Sequence, residues 1–251
     1  MSYIVVLSPA KRLQLAPFKL GKGETDPYFK KEADAIIGNL RGLNVTELKK
    51  VMDIKDSLVG EVQNMLQNWG AKNQASYPAA ALYNGDAYLR LGARDWTTEQ
   101  WKFASRHLFI LSGVYGALRA TDQIAPYRLM VGAAWKGKVA PDGLYPYWKQ
   151  KMLDYATRHW KQEILLNLAS QEYAEMLAYV DLPIINVDFK VNKQGKLATV
   201  SSFSKQARGA MARWIVEHQP KQLEIIKDVK ILGFQFSPEL SNKENWIFVK
   251  S

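Results

Sequence analysis

The stretch Tyr3-Ile4-Val5-Val6-Leu7-Ser8-Pro9-Ala10-Lys11 sets the reading of the whole chain. Its five consecutive apolar residues are too short a run for a typical helix and are rich in β-branched side chains, which suits a strand buried on both faces. Ser8 can cap a following turn, Pro9 fits a first helical position, and Lys11 brings a positive charge to exposed backbone N–H groups, so the segment suggests an anion site. The same order of apolar run, polar turn and helical period returns along the chain. It appears at Leu108–Leu111 before Ser112-Gly113-Val114-Tyr115-Gly116, and at Ile164–Leu168 before Ala169-Ser170 and a helix predicted over Gln171–Tyr179. A fourth case is Leu197–Phe203 before Ser204 and a helix predicted from Lys205 to His218. Buried strands alternating with helices predict an α/β fold. Asn84-Gly85, between Ala81–Tyr83 and Ala87–Leu91, is a hairpin signal. Lys230–Phe236 and Trp246–Lys250 read as two further strands. The expected fold is a mixed sheet flanked by helices, in one domain over residues 1–251.

Other helices are marked by their first residues. Asn44-Val45-Thr46-Glu47 and Thr97-Thr98-Glu99-Gln100 both have the spacing of a capping box. The first opens a helix through Met52, and a second helix from Leu58 to Trp69 completes a short helical hairpin over about 44–69. Ala16–Asp26 and Gly132–Gly143 carry the glycines and prolines of surface loops.

Composition excludes several classes of function. The 251 residues are 47% apolar and 23% charged, as in ordinary globular proteins. No apolar run nears the roughly 20 residues needed to cross a bilayer, and no basic segment precedes the short apolar stretch at the start, so a cytoplasmic protein without a membrane partner is expected. Cysteine is absent, which removes thiol chemistry and disulfides. His107, His159 and His218 lie far apart without metal-ligand spacing, and neither a cofactor nor a metal centre is expected. The net charge of +10 is spread along the chain rather than held in a tail. Folded into one groove, such an excess suits a polyanion.

The candidate site residues fall at the strand-to-helix turns, where open α/β sheets bind ligands. Ser8 and Lys11 follow the first strand. Asn84, Asp86 and Tyr88 surround the Asn-Gly turn. Tyr115, Arg119, Tyr127 and Arg128 follow the second strand, with Asp122 placed to orient an arginine. Ser170, Glu172 and Tyr173 follow the third. On a helix at about 100° per residue, Lys205, Arg208 and Arg213 share one stripe with Gly209 and Ala212, a basic face cleared of bulk for a phosphate backbone. Mid-helix glycine costs about 1 kcal/mol against alanine, which points to a reason for Gly209. No phosphate loop, dinucleotide fingerprint or nucleophile elbow is present.

The motifs Leu7-Ser8-Pro9-Ala10-Lys11, Tyr83-Asn84-Gly85-Asp86-Ala87-Tyr88 and Leu111-Ser112-Gly113-Val114-Tyr115-Gly116-Ala117-Leu118-Arg119, with Ala125-Pro126-Tyr127-Arg128-Leu129, resemble the YaaA family of bacterial peroxide-stress proteins. Asn167-Leu168-Ala169-Ser170 and Lys205-Gln206-Ala207-Arg208-Gly209 extend the likeness along nearly the whole chain. The resemblance implies a cytoplasmic protein that limits free iron and oxidative damage, with a basic cleft and a helix-hairpin-helix-like element associated with DNA binding. That element would be Glu47–Leu66, although it has one glycine, Gly60, and lacks the usual apolar-Gly-apolar turn.

The leading expectation is non-specific DNA binding through Lys11, Arg119, Arg128, Lys205, Arg208 and Arg213, with Tyr88, Tyr115 and Tyr127 stacking on bases or packing the cleft wall. The alternative is an enzyme for a small anionic ligand, using Ser8, Lys11, Asn84, Asp86, Arg128 and Lys205, with Asp86 or Glu172 as acid–base. Lys11 or Arg128 would fix the phosphate or carboxylate. Direct iron sequestration follows from the resemblance alone. The density of polar motifs suits an active site better than non-specific DNA binding, which needs only charge; binding without catalysis is nonetheless the leading expectation.

Overall fold

The computed structural model describes residues 2–161 and 163–250. From the amino terminus come β1 (Tyr3–Leu7), α1 (Lys30–Leu40), α2 (Val45–Met52), α3 (Val59–Asn68), β2 (Tyr77–Pro78), α4 (Ala79–Leu82) and α5 (Asp86–Leu91). Next are α6 (Thr98–His107), β3 (Leu108–Ser112), β4 (Gly116–Arg119), β5 (Gln123–Ile124) and α7 (Leu144–His159). The remainder is β6 (Ile164–Asn167), α8 (Gln171–Ala174), β7 (Ile184–Lys193), β8 (Lys196–Ala198), α9 (Ser201–His218), β9 (Gln235–Phe236) and β10 (Asn245–Lys250).

The main sheet runs β4-β3-β1-β6-β7-β10-β9, with β8 paired to the end of β7. Strands β3, β1, β6, β7 and β10 are parallel, while β4, β8 and β9 join antiparallel. The sheet is therefore mixed and flanked by helices. Every residue of β1 and of β3 is buried, as continuous apolar runs require when both faces are covered. β1 lies between β3 and β6. The chain leaves β1 toward one side of the sheet and leaves β6 toward the other, so the order reverses at the β1/β6 carboxyl ends.

Both capping boxes form. The Asn44 side chain accepts from the Glu47 N–H at 3.0 Å and the Glu47 carboxylate accepts from the Asn44 N–H at 2.8 Å; Thr97 and Gln100 repeat the exchange. Other boundaries depart from expectation. Asn84-Gly85 is no hairpin: it joins α4 to α5, and Gly85 is demanded by close approach, because a Cβ there would lie 2.9 Å from the Ala10 Cβ. Leu197–Phe203 divides into β8 and the first turn of α9, which starts at Ser201. Only Gln235–Phe236 of the stretch from Lys230 is strand, since Leu232 and Gly233 take positive φ in a turn that pairs Ile231 with Phe234. The segment after Ser170 is one α-helical turn followed by a 3₁₀ turn, Glu175–Leu177.

Helix α9 also corrects the reading of its glycine. Gly209 and Ala212 are both buried, and Gly209 lies against α5, where a Cβ would be driven into the Ala87 carbonyl oxygen. The small residues therefore admit a helix backbone and do not clear a surface for phosphate. Gly209→Ala is expected to destabilise the fold by about 1–3 kcal/mol, the usual range for overpacking, read as a lowered denaturant midpoint. An unchanged midpoint would show that α5 and α9 part without cost.

Candidate functional site at the β1 and β6 carboxyl ends

The turn after β1 and the turn after β6 are tied together. Ser8 Oγ accepts from the Ser170 N–H at 2.7 Å and lies 3.1 Å from Ser170 Oγ. Tyr88 of α5 donates its hydroxyl to the Ser8 carbonyl at 2.8 Å. Burial pushes the Tyr88 phenol well above its ordinary value, so it stays a neutral donor. α5 thereby fixes the β1 turn, and α9 is fixed on α5 through Gly209.

Above these contacts lies a recess of about 520 Å³, within the size range of small-ligand sites. Ser8, Lys11, Asp86, Tyr88, Glu172, Lys205 and Arg208, which the motifs marked, all line it, together with Ser170 and Tyr173. Four cations (Lys11, Arg12, Lys205, Arg208) and two carboxylates (Asp86, Glu172) therefore face one space. Glu172 is aimed by its surroundings: Oε1 accepts from the Gly132 N–H at 3.2 Å, and its carbonyl accepts from the Tyr145 hydroxyl at 3.0 Å. Arg208 is mostly buried, 3.6 Å from Asp188, and its Nε has no hydrogen-bond partner among the described residues. Burial lowers its guanidinium pKa, with Asp188 opposing the shift. The exposed Lys11 ammonium stands 3.5 Å from Asp53, the residue that caps α2. Arg12 and Met130 also line the recess and were not singled out by sequence; proximity to Lys11 and to Leu129 was the only signal for either.

The remaining marked residues lie elsewhere. Arg128 supports the rim from behind, donating to the Lys11 carbonyl at 3.0 Å. Asn84 is held through its backbone, donating to the Arg12 carbonyl at 2.8 Å, and its side chain does not line the recess. Tyr115 and Tyr127 are core residues, 3% and 5% exposed, which leaves no ring face for a base. The Tyr127 hydroxyl sits 2.6 Å from Ser112 Oγ and 2.7 Å from the Tyr83 hydroxyl. Tyr115 accepts from the Ala125 N–H.

Arg119 pairs with Phe109 near the start of β3, at the opposite end of the sheet, where it faces Tyr155 and His159. Asp122 does not orient an arginine side chain. It accepts from the Thr25 hydroxyl at 2.6 Å and the Arg119 backbone N–H at 2.8 Å, and burial raises its carboxyl to about 6. Arg213 pairs with Glu217 at 2.7 Å and packs beside Gly92. The stripe on α9 is thus divided by its contact with α5, with two cations on the recess and one outside. Gly113 packs against the 129–131 backbone and Gly116 against Trp148. Among the described residues no three metal-binding side chains come together, and no helix is long and apolar enough to cross a membrane.

This architecture is that of an α/β protein with a recess lined by charged side chains at its sheet's switch point. The chain belongs to the peroxide stress protein YaaA family, whose model matches residues 3–240. Similar proteins include a UPF0246 protein of Crocosphaera subtropica, 33% identical over 98% of this chain and 100% of the relative. A UPF0246 protein of Caulobacter vibrioides is 34% identical over 98% of each chain. One of Francisella tularensis is 34% identical over 98% of this chain and all of its own length.

The Ser8–Ser170 bond gives a direct test of the site's framework. Ser8→Ala leaves the Ser170 N–H without its acceptor and is expected to cost about 1–2 kcal/mol, read as a drop in thermal midpoint. A midpoint equal to wild type would mean the two turns are held by other contacts.

Proposed function

We propose that this peroxide-stress protein acts in the cytoplasm by binding DNA without sequence preference, seating backbone phosphates on Lys11, Arg12, Lys205 and Arg208. The single observation that carries this reading is the convergence of cations from two distant segments, residues 11–12 and 205–208, on one recess. Their mutual repulsion in a partly enclosed space is relieved by an anionic guest. Phosphate contacts give affinity without base readout, which fits a protective role on DNA of any sequence. The helix pair α2–α3, joined to the rim through Asp53 and Lys11, would lie along the same DNA as the helix-hairpin-helix-like element of the family. A contribution to low free iron and reduced oxidative damage is carried with family membership, and its measure is intracellular free iron after peroxide challenge.

A second reading is favoured by Asp86 and Glu172 on the recess wall. Two carboxylates repel a bare phosphate but suit a small ligand that carries hydrogen-bond donors as well as an anion, and such a site could be catalytic, with Asp86 or Glu172 as acid–base. The two readings separate on one substitution. If phosphates of DNA dock here, Asp86→Asn removes a like charge and tightens DNA binding; if a small substrate does, the same change destroys its turnover.

For the DNA reading, fluorescence anisotropy with a labelled duplex should show affinity falling steeply with salt. Lys205→Ala/Arg208→Ala should weaken binding at least tenfold and reduce the log–log salt slope by about 2, since each contact contributes roughly 0.9. Affinity indifferent to salt would overturn the reading.

A further inference from the structure

We propose that the recess continues into a second cationic groove, built by Lys50, Lys136 and Lys138, and that the two together hold one continuous strand of a DNA backbone. The inference rests on the DNA reading and extends its footprint beyond α2 to Lys136 and Lys138, which that reading does not use. The groove encloses about 630 Å³ between the end of α1, helix α2 and segment 134–138; its lining includes Asn39, Glu47, Lys50, Trp135, Lys136 and Lys138.

Two links place it beside the recess. Met130 lines the recess and the Gly132 N–H bonds Glu172 on its wall, whereas Ala134 to Lys138 line the groove. Gly132 and Lys136 are four positions apart, a span of at most about 14 Å even if fully extended. One DNA strand rises about 3.4 Å along the duplex axis per phosphate, so that reach spans at most roughly four phosphates of axial rise. Independently, Lys11 on the recess meets Asp53 at 3.5 Å, and Asp53 caps the helix whose Lys50 lines the groove.

The lysines are presented on a pinned turn. Trp135 is 4% exposed and anchors the segment, and Gly137 lies so close on its indole that no Cβ could be accommodated. The Ala140 N–H closes the turn on the Gly137 carbonyl at 3.1 Å. A turn already fixed loses less entropy on binding than a free loop. Lys50, Lys136 and Lys138 are exposed, and none forms an ion pair among the described residues. The acidic groups on and just after α2 are engaged: Glu47 accepts from the Asn44 N–H at 2.8 Å, Asp53 meets Lys11, and Asp56 meets Lys49 at 2.6 Å. A small anion confined to the recess gives these three lysines nothing to bind, whereas an extended backbone meets both clusters.

The test compares Lys136→Glu/Lys138→Glu with wild type in the full chain, using a labelled 20-base-pair duplex and a labelled trinucleotide as probes, with thermal midpoints confirming that the variant folds. The expected result is at least tenfold weaker duplex binding, a salt slope reduced by about 2, and unchanged trinucleotide affinity. Duplex affinity at the wild-type level, while Lys205→Ala/Arg208→Ala weakens it, overturns the groove and leaves the recess reading standing. Equal losses with both probes overturn a separate groove as well. Wild-type protein that binds the duplex without salt dependence removes both proposals.

Discussion

The site is held by a helix laid directly on another helix's backbone. Because Gly209 has no side chain, α9 approaches the Ala87 carbonyl of α5 closely enough to bring Lys205 and Arg208 over the turn after β1. α5 is itself anchored to that turn, through the Tyr88 hydroxyl on the Ser8 carbonyl. A larger residue at 209 would push α9 outward and carry both cations with it. The energetic cost of a mid-helix glycine is therefore spent on position, and the resulting contact relates a helix late in the chain to a strand at its start.

The sheet topology supplies the other half of the arrangement. β1 is flanked by β3 and β6, and the chain departs in opposite directions from the carboxyl ends of β1 and β6, which leaves a crevice between them. Ser8 and Ser170 close the floor of that crevice by hydrogen bonding across it. Cations and carboxylates then line the walls from four segments that are remote in sequence. The opposite end of the sheet holds a different set: Arg119 beside His159, and the buried Asp122, which fastens the Thr25 loop; none of the three lines the recess.

The sequence was informative where physics is local. Apolar runs at Tyr3–Leu7, Leu108–Leu111 and Ile164–Leu168 became parallel strands, and both capping boxes opened helices where their spacing required. It misled where tertiary contact overrode a local signal. The Asn84-Gly85 pair reads as a hairpin, but its glycine answers to the approach of Ala10. The Lys205–Arg213 stripe is continuous on an isolated helix, but α5 covers its middle. The ten-residue strand Ile184–Lys193 and the helices Lys30–Leu40 and Leu144–His159 were not apparent, since none is announced by the turn motifs that marked the others. Arginines spaced along the motifs carry no record of which end of the sheet they reach. Only pairing register separates Arg119 from Lys11.

What decides the role of the recess is where an acidic chain settles on this molecule. A co-crystal structure with a short 5′-phosphorylated DNA should show a phosphate within hydrogen-bonding distance of the Arg208 guanidinium, beside Lys205 and the turn after β1. Nucleic acid found instead against Arg119 and His159, with the recess empty, would contradict it.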